Sequence, residues 1–273
     1  MDTLIVGTDF SPAADNALLY AAALARSLRL QLQVIHVYDI PATMNDMPAM
    51  MVSGEELQRL SDESLNRSLE RLRRDFGDLT FSGESRLGSV TDEMNDACRK
   101  EKAFALVVGS HPATGFERMV FGSSATALLR HAVCPVIAVP EAATFTPLQQ
   151  VLLATDLASG APLNLAPLRQ LLQASGARLH LVHVRTGEEG PKEAAAKEAL
   201  VRELADLQPA YLEITNEDLT EGLNDAVRQT GAELLVCIPH HHSVLEHLFF
   251  KTHSEAVLQK APVPVLFLPE ERP

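Results

Sequence analysis

Short apolar, β-leaning runs alternate along this chain with stretches whose apolar residues recur at helical spacing. Leu4–Thr8 is a continuous apolar run, the pattern of a parallel strand covered on both faces. Ser11-Pro12 then reads as an N-cap followed by proline at the first helical position. Ala17, Leu18, Ala21, Leu24, Ala25 and Leu28 form the inward face of the helix that follows. Leu30–Val37 is the second predicted strand, and Pro41–Ser53, with four methionines, is a loop. Glu55–Phe76 has the charge and spacing of a long amphipathic helix, with Leu57, Leu60, Leu65, Leu69 and Leu72 expected to face inward. Strands at Leu79–Ser85, Phe104–Val108 and Val136–Val139 alternate with helices at Val90–Lys100 and Ser123–His131, and a loop through Gly109 and Gly115 follows Val108.

The order then repeats. Thr8-Asp9 returns as Thr155-Asp156 and His36-Val37 as His183-Val184, both at a spacing of 147 residues. The closing strands also match, Cys134-Pro135-Val136 against Val263-Pro264-Val265. Strands are expected near Val151–Thr155, Leu179–Val184, Ala210–Ile214, Leu234–Ile238 and Val265–Leu268. Helices are expected near Pro162–Ala174, Lys192–Leu207, Leu219–Thr230 and Ser254–Lys260. A repeat of this length is a duplicated domain rather than a solenoid unit. Strand–helix alternation with short connections predicts an α/β fold: two tandem, open, mainly parallel five-stranded sheets. The domains are expected at residues 1–143 and 148–273, joined by Thr144–Gln150. Each ends on an apolar edge strand that needs cover. Val136–Val139 and Val265–Leu268 are therefore expected to meet across a pseudo-twofold axis, an intramolecular pseudo-dimer able to pair further as a homodimer.

Composition narrows the function. The 273 residues carry a formal net charge of −13, spread over both halves, so neither half is a basic arm for nucleic acid or an anionic membrane. No apolar run approaches the roughly 20 residues of a membrane span. Cys98, Cys134 and Cys237 have no metal-site spacing and read as reduced, buried thiols; with no signal-peptide pattern at Met1-Asp2-Thr3, a cytoplasmic setting is expected.

Ligands of open α/β sheets sit beyond the carboxyl ends of the strands. In the first half Thr8-Asp9, His36-Val37 and Gly109-Ser110-His111-Pro112 reach that edge, with Gly122-Ser123-Ser124 opening a helix. Glycine admits a phosphate to the backbone, a helix start offers unpaired N–H groups, and Asp9 can accept from a ribose or an adenine amine. The spacing Gly109, Pro112, nine residues, then Gly122-Ser123, together with Asp9-Phe10-Ser11 and His36-Val37, resembles the nucleotide-binding pattern of universal stress proteins. The resemblance covers both halves. It implies two Rossmann-like domains and an ATP or other adenine-nucleotide site in the first, with Mg²⁺ accompanying the phosphates. Asp9 and Thr8 would lie at the nucleoside, the Val37 backbone at adenine, and Gly109, Gly122, Ser123 and Ser124 around ribose and phosphates. Pro112 departs from the family's second glycine; proline has no N–H and a fixed φ, which weakens any phosphate contact made there.

The second half keeps Asp156 but has Pro239-His240-His241-His242 and Lys251-Thr252-His253-Ser254 where glycines would stand. It is expected to be structural, with a degenerate site. Three readings follow. The first is a non-enzymatic stress-response protein sensing an adenine nucleotide through its first half. The second is a stress scaffold without nucleotide. The third is a metal-dependent protein using His240, His242 and His253; the adjacent histidines His240-His241-His242 lack the i, i+4 logic of a helical ligand pair. Neither a Gly-x-x-x-x-Gly-Lys-Ser/Thr loop nor a Gly-x-Ser-x-Gly elbow occurs, which argues against P-loop NTPase and α/β-hydrolase chemistry.

Overall fold

A computed structural model of the chain describes residues 2–40, 53–113, 118–120, 123–155, 164–185, 191–238 and 263–269. The first half runs β1 (Thr3–Thr8), α1 (Pro12–Leu28), β2 (Gln31–Tyr38), α2 (Gly54–Asp75), β3 (Phe81–Leu87), α3 (Val90–Glu101), β4 (Ala105–Ala113), β5 (Arg118–Val120), α4 (Ser123–His131) and β6 (Val136–Pro140). The second runs β7 (Gln150–Thr155), α5 (Ala166–Ser175), β8 (Arg178–Arg185), α6 (Pro191–Glu203), β9 (Ala210–Thr215), α7 (Leu219–Thr230), β10 (Leu234–Cys237) and β11 (Val265–Phe267). Among the described residues no helix is long and apolar enough to cross a membrane.

The strands form one path in the order β3-β2-β1-β4-β6-β11-β10-β7-β8-β9. Its two halves mirror each other about the β6–β11 pair. Every pairing along the path is parallel except that one, where Val265 lies opposite Ala138, Leu266 opposite Ile137 and Phe267 opposite Val136. The repeat is kept in register: Thr8 pairs with His36 and Thr155 with His183. The expected meeting of the closing strands is therefore a shared antiparallel ladder. Val136–Val139 and Val265–Phe267 are nearly fully buried in the joined sheet, and each supplies the backbone partner that the other's open edge needs. A separated half would leave an apolar edge open to pairing with another chain.

Side chains alternate between two cores that each continue across the junction. Leu4, Val6, Val107, Ile137, Leu153 and Leu266 lie on one face, and Ile5, Leu106, Ala138, Leu152 and Phe267 on the other. Further contacts hold the connection over residues 140–150. Asn16 Nδ2 on α1 donates to the carbonyls of Pro140 and Ala143, both at 2.9 Å. Tyr20 packs edge-on against Phe145, and the Glu233 carboxylate accepts from the Gln149 and Gln150 N–H groups. Burial, and then the Glu233 charge, hold the Tyr20 hydroxyl far above its ordinary range.

Local chemistry accounts for the helix ends. Ser11 Oγ accepts from the Ala14 N–H, Pro12 occupies the first turn, and Arg29 closes α1 in the left-handed conformation. Three expectations change. Leu60 is exposed, because five residues from Leu65 is about 140° around the helix, whereas Ser61, Leu65, Leu69 and Leu72 keep to one stripe. The segment after Val108 is a hairpin, not an open loop: β4 continues to Ala113 and pairs antiparallel with β5. The helix expected over 192–207 ends at Glu203, and Ala205–Leu207 is a separate 3₁₀ turn. The loop over 41–52 and the helix over 254–260 lie outside the described residues, as do Pro162 and Leu163 at the expected start of α5.

Candidate functional site

In the first half β1 is flanked by β2 on one side and β4 on the other, so the strand order reverses at β1. That is where open sheets leave a crevice. A cleft of about 250 Å³ lies there. Gly7, Thr8 and Asp9 come from the end of β1, with Ser11 and Ala14 from the start of α1. Val37 on β2 and Val108 and Gly109 on β4 form the floor. Val90 and Met94 on α3 and Ser124, Ala125 and Leu128 on α4 form the facing wall. The interior is thus mainly apolar, and the polar groups gather near Asp9, Ser11 and the start of α4.

The turn from β1 into α1 is tightly specified. Thr8 Oγ1 accepts from the Phe10 N–H and Asp9 Oδ1 from the Ser11 N–H, both at 3.0 Å. Between them Phe10 has φ of 63°, a left-handed conformation that costs a bulky residue about 1–3 kcal/mol. The Phe10 ring lies 4.4 Å from the His36 ring, which holds the turn in place. His36 Nδ1 lies 2.8 Å from the Thr8 carbonyl and donates to it, since a carbonyl can only accept. His36 is therefore a strand-end brace, and the exposed Asp9 is the carboxylate the turn presents at the cleft.

Gly109 has a structural reason to be glycine. A Cβ there would stand 2.6 Å from the carbonyl carbon and oxygen of Ala13 and 2.9 Å from the Ala14 nitrogen. Only bare backbone lets α1 begin this close to β4. In the second half the β10–β11 register places Ile238 at the equivalent position, and its side chain is buried. The close approach seen at Gly109 has no room for such a side chain.

The structure brings Thr8, Asp9, Val37, Gly109 and Ser124 together in one cleft. Pro112 pairs with Met119 in the β4–β5 ribbon, beyond the residues of β4 that pair with β1 and β6, and its side chain lies outside the described residues. A two-stranded ribbon has an open edge where a missing N–H is tolerated. Ser123 opens α4, with its side chain outside the described residues, as are Gly122, Asp156, His240, His242, Lys251 and His253. Among the described residues no three His, Cys, Asp or Glu side chains are grouped to hold a metal. The second-half histidine, His183, is buried but its Nδ1 has no hydrogen-bond partner among them, unlike His36.

Sequence reasoning placed Ser124 at the site but missed Val90 and Met94 on α3 and Ala125 and Leu128 on α4. A signal for α3 was present in the repeat. Asn95-Asp96-Ala97 on α3 returns as Asn224-Asp225-Ala226 on α7, both on twelve-residue helices that pack one apolar face on the sheet.

The Universal stress protein family profile matches this chain twice, over residues 1–140 and 147–269. A universal stress protein of Methanocaldococcus jannaschii is 26% identical over 139 residues, covering 50% of this chain and 80% of that protein. The crystal structure of a universal stress protein from Archaeoglobus fulgidus superposes with a TM-score of 0.66 at 16% identity, covering 97% of both chains. A functionally unknown protein from Pseudomonas aeruginosa gives a TM-score of 0.58 at 14% identity, covering 98% of this chain and 92% of its own. These two likenesses establish the fold.

Proposed function

The chain belongs to the universal stress protein family, and from that premise we propose that its first half binds one adenine nucleotide as a signal in a cytoplasmic stress response, while its second half serves as the structural partner. The observation that carries this reading is the cleft at the β1–β4 crevice, apolar inside and polar at its mouth, with Asp9 on one side and the first turn of α4 on the other. Its volume of about 250 Å³ lies just below the range of roughly 300–1,000 Å³ usual for ligand sites. Val37, Val90, Met94 and Leu128 would enclose the base. Asp9 would accept from a ribose hydroxyl. The phosphates would lie outside, toward the N–H groups that open α4, against a chain of net charge −13. Mg²⁺ would enter with the phosphates and has only Asp9 among the described lining residues to meet it.

Equilibrium dialysis with ATP and with AMP tests this. Wild type should bind one nucleotide per chain, and Ser124→Trp, which projects an indole into the mouth from an exposed position, should lose at least about tenfold in affinity, or ~1.4 kcal/mol. Two nucleotides per chain, or equal binding by both proteins, would contradict the assignment to the first half. The competing reading is a scaffold without nucleotide. It draws on the packing reason for Gly109 and the placement of Pro112 in the ribbon. A thermal midpoint unmoved by ATP, ADP and AMP would favour it.

A further inference from the structure

Two of the three cysteines come from distant parts of the first half and meet. Cys98 lies near the end of α3 and Cys134 just before β6, and their sulfurs stand 2.8 Å apart in the core. That is far closer than unbonded sulfurs normally rest, and under 1 Å beyond an S–S bond of ~2.05 Å. Both are buried, at 2% and 6% exposure. Asn95, one helical turn before Cys98, sets the approach: its side chain donates to the His131 carbonyl and accepts from the Val133 N–H.

The second half shows what packing alone requires. By the same α3–α7 and β6–β11 correspondence, Cys98 matches Val227 and Cys134 matches Val263. Both valines pack into the continuous core that holds the two cysteines. Valine stands at both positions in one copy, so the fold does not call for sulfur there. The other copy has cysteine at both positions. Cys237, the third thiol, is fully buried in β10 of the other half.

We propose that Cys98 and Cys134 are a reversible dithiol–disulfide couple, oxidised by peroxide, that staples α3 to the α4–β6 connection. One thiol, as thiolate, attacks a peroxide oxygen: an S–O bond forms, the O–O bond breaks, and the hydroxide released takes up the lost proton as water. The second sulfur attacks the resulting sulfenic acid: the S–S bond forms, the S–O bond breaks, and hydroxide leaves with that thiol's proton as a second water. Two thiols and one hydrogen peroxide become a disulfide and two waters, and a small dithiol reverses the change by exchange. The hydrogen bond to Cys98, and then burial, hold the Cys134 thiol well above the ordinary thiol range, so the pair responds slowly and remains a dithiol at rest. The staple would tie α3, which carries Val90 and Met94, to the segment that follows α4, which carries Ser124 and Leu128, and so fix the two parts of the cleft's facing wall to each other. The couple itself does not depend on what the cleft binds.

The full chain, reduced and desalted, is treated with hydrogen peroxide, quenched, alkylated in denaturant and mapped by mass spectrometry. The expected result is loss of two hydrogens, a linked peptide pair containing Cys98 and Cys134, return of both thiols with dithiothreitol, and an alkylatable Cys237 throughout. Oxidation should raise the thermal midpoint by several degrees. Cys98→Val/Cys134→Val, which copies the second half, should melt close to the reduced protein and not respond to peroxide. The proposal is overturned if both cysteines remain fully alkylatable, if they pass to sulfinic or sulfonic acid, or if the bond forms between chains. The wild-type mapping decides this even if the double variant folds poorly.

Discussion

Gly109→Ala is the sharpest test of how the cleft is built. The new methyl would sit 2.6 Å from the Ala13 carbonyl and 2.9 Å from the Ala14 nitrogen. Neither side can yield easily. Strand β4 is held between β1 and β6, with Gly109 paired to Val139, and α1 is tied to the segment after β6 through Asn16. Overpacking in a core costs about 1–3 kcal/mol, and contact with backbone rather than a movable side chain places this case at the upper end. Alanine also restricts the unfolded chain, which returns roughly 0.4–1 kcal/mol, because Gly109 does not use a left-handed φ. The net loss is about 2–2.5 kcal/mol, a fall in thermal midpoint of roughly 4–10 °C for a chain of this size. Gly7→Ala is the control. Its methyl would meet the Met94 terminal carbon at 3.0 Å, the end of a flexible side chain, so its cost should stay within about 0.5 kcal/mol. Urea and thermal unfolding of the three proteins, followed by circular dichroism, measure both losses. Gly109→Ala melting with wild type, or Gly7→Ala proving the more damaging, would refute the claim that α1 and β4 meet backbone to backbone.

Asn95→Ala removes both hydrogen bonds to residues 131–133 and leaves a carbonyl and an N–H without their partner; a loss of about 2–3 kcal/mol is expected in the same unfolding assay, and a change under ~0.5 kcal/mol would show that the helix does not hold this segment. His180 responds to pH. Desolvation, and then Arg178, lower its pKa below the ordinary 6.5, so the unfolded state takes up a proton before the native state does. Its contribution is therefore fully present above pH 6.5 and declines as the pH falls through the lowered folded value; His180→Gln should flatten the pH dependence of stability in that window, and an unchanged slope would contradict the assignment.

Much of the fold was legible because its signals are local. Apolar runs such as Leu4–Thr8 and caps such as Ser11-Pro12 state their structure within a few residues. The Thr8–His36 and Thr155–His183 correspondence stated the duplication. Leu60 was misread because leucine content was counted without the angular drift between positions five apart. The hairpin at Pro112 was missed because glycines on either side suggested a loop, while the pairing of residues 111–113 with 118–120 depends on their return across the sheet end.

The cleft divides the same way. Thr8, Asp9, Val37, Gly109 and Ser124 could be picked out from glycine and strand-end chemistry alone. That Ala13 needs Gly109, that Met94 and Leu128 close the wall, and that Cys98 meets Cys134 are facts about residues far apart in the chain. By itself the sequence determined two copies of an alternating strand–helix unit and the residue types at their strand ends. The tertiary structure decided which of those residues share a space, because a parallel sheet orders its strands by crossover rather than by succession and so brings together side chains that no local period connects.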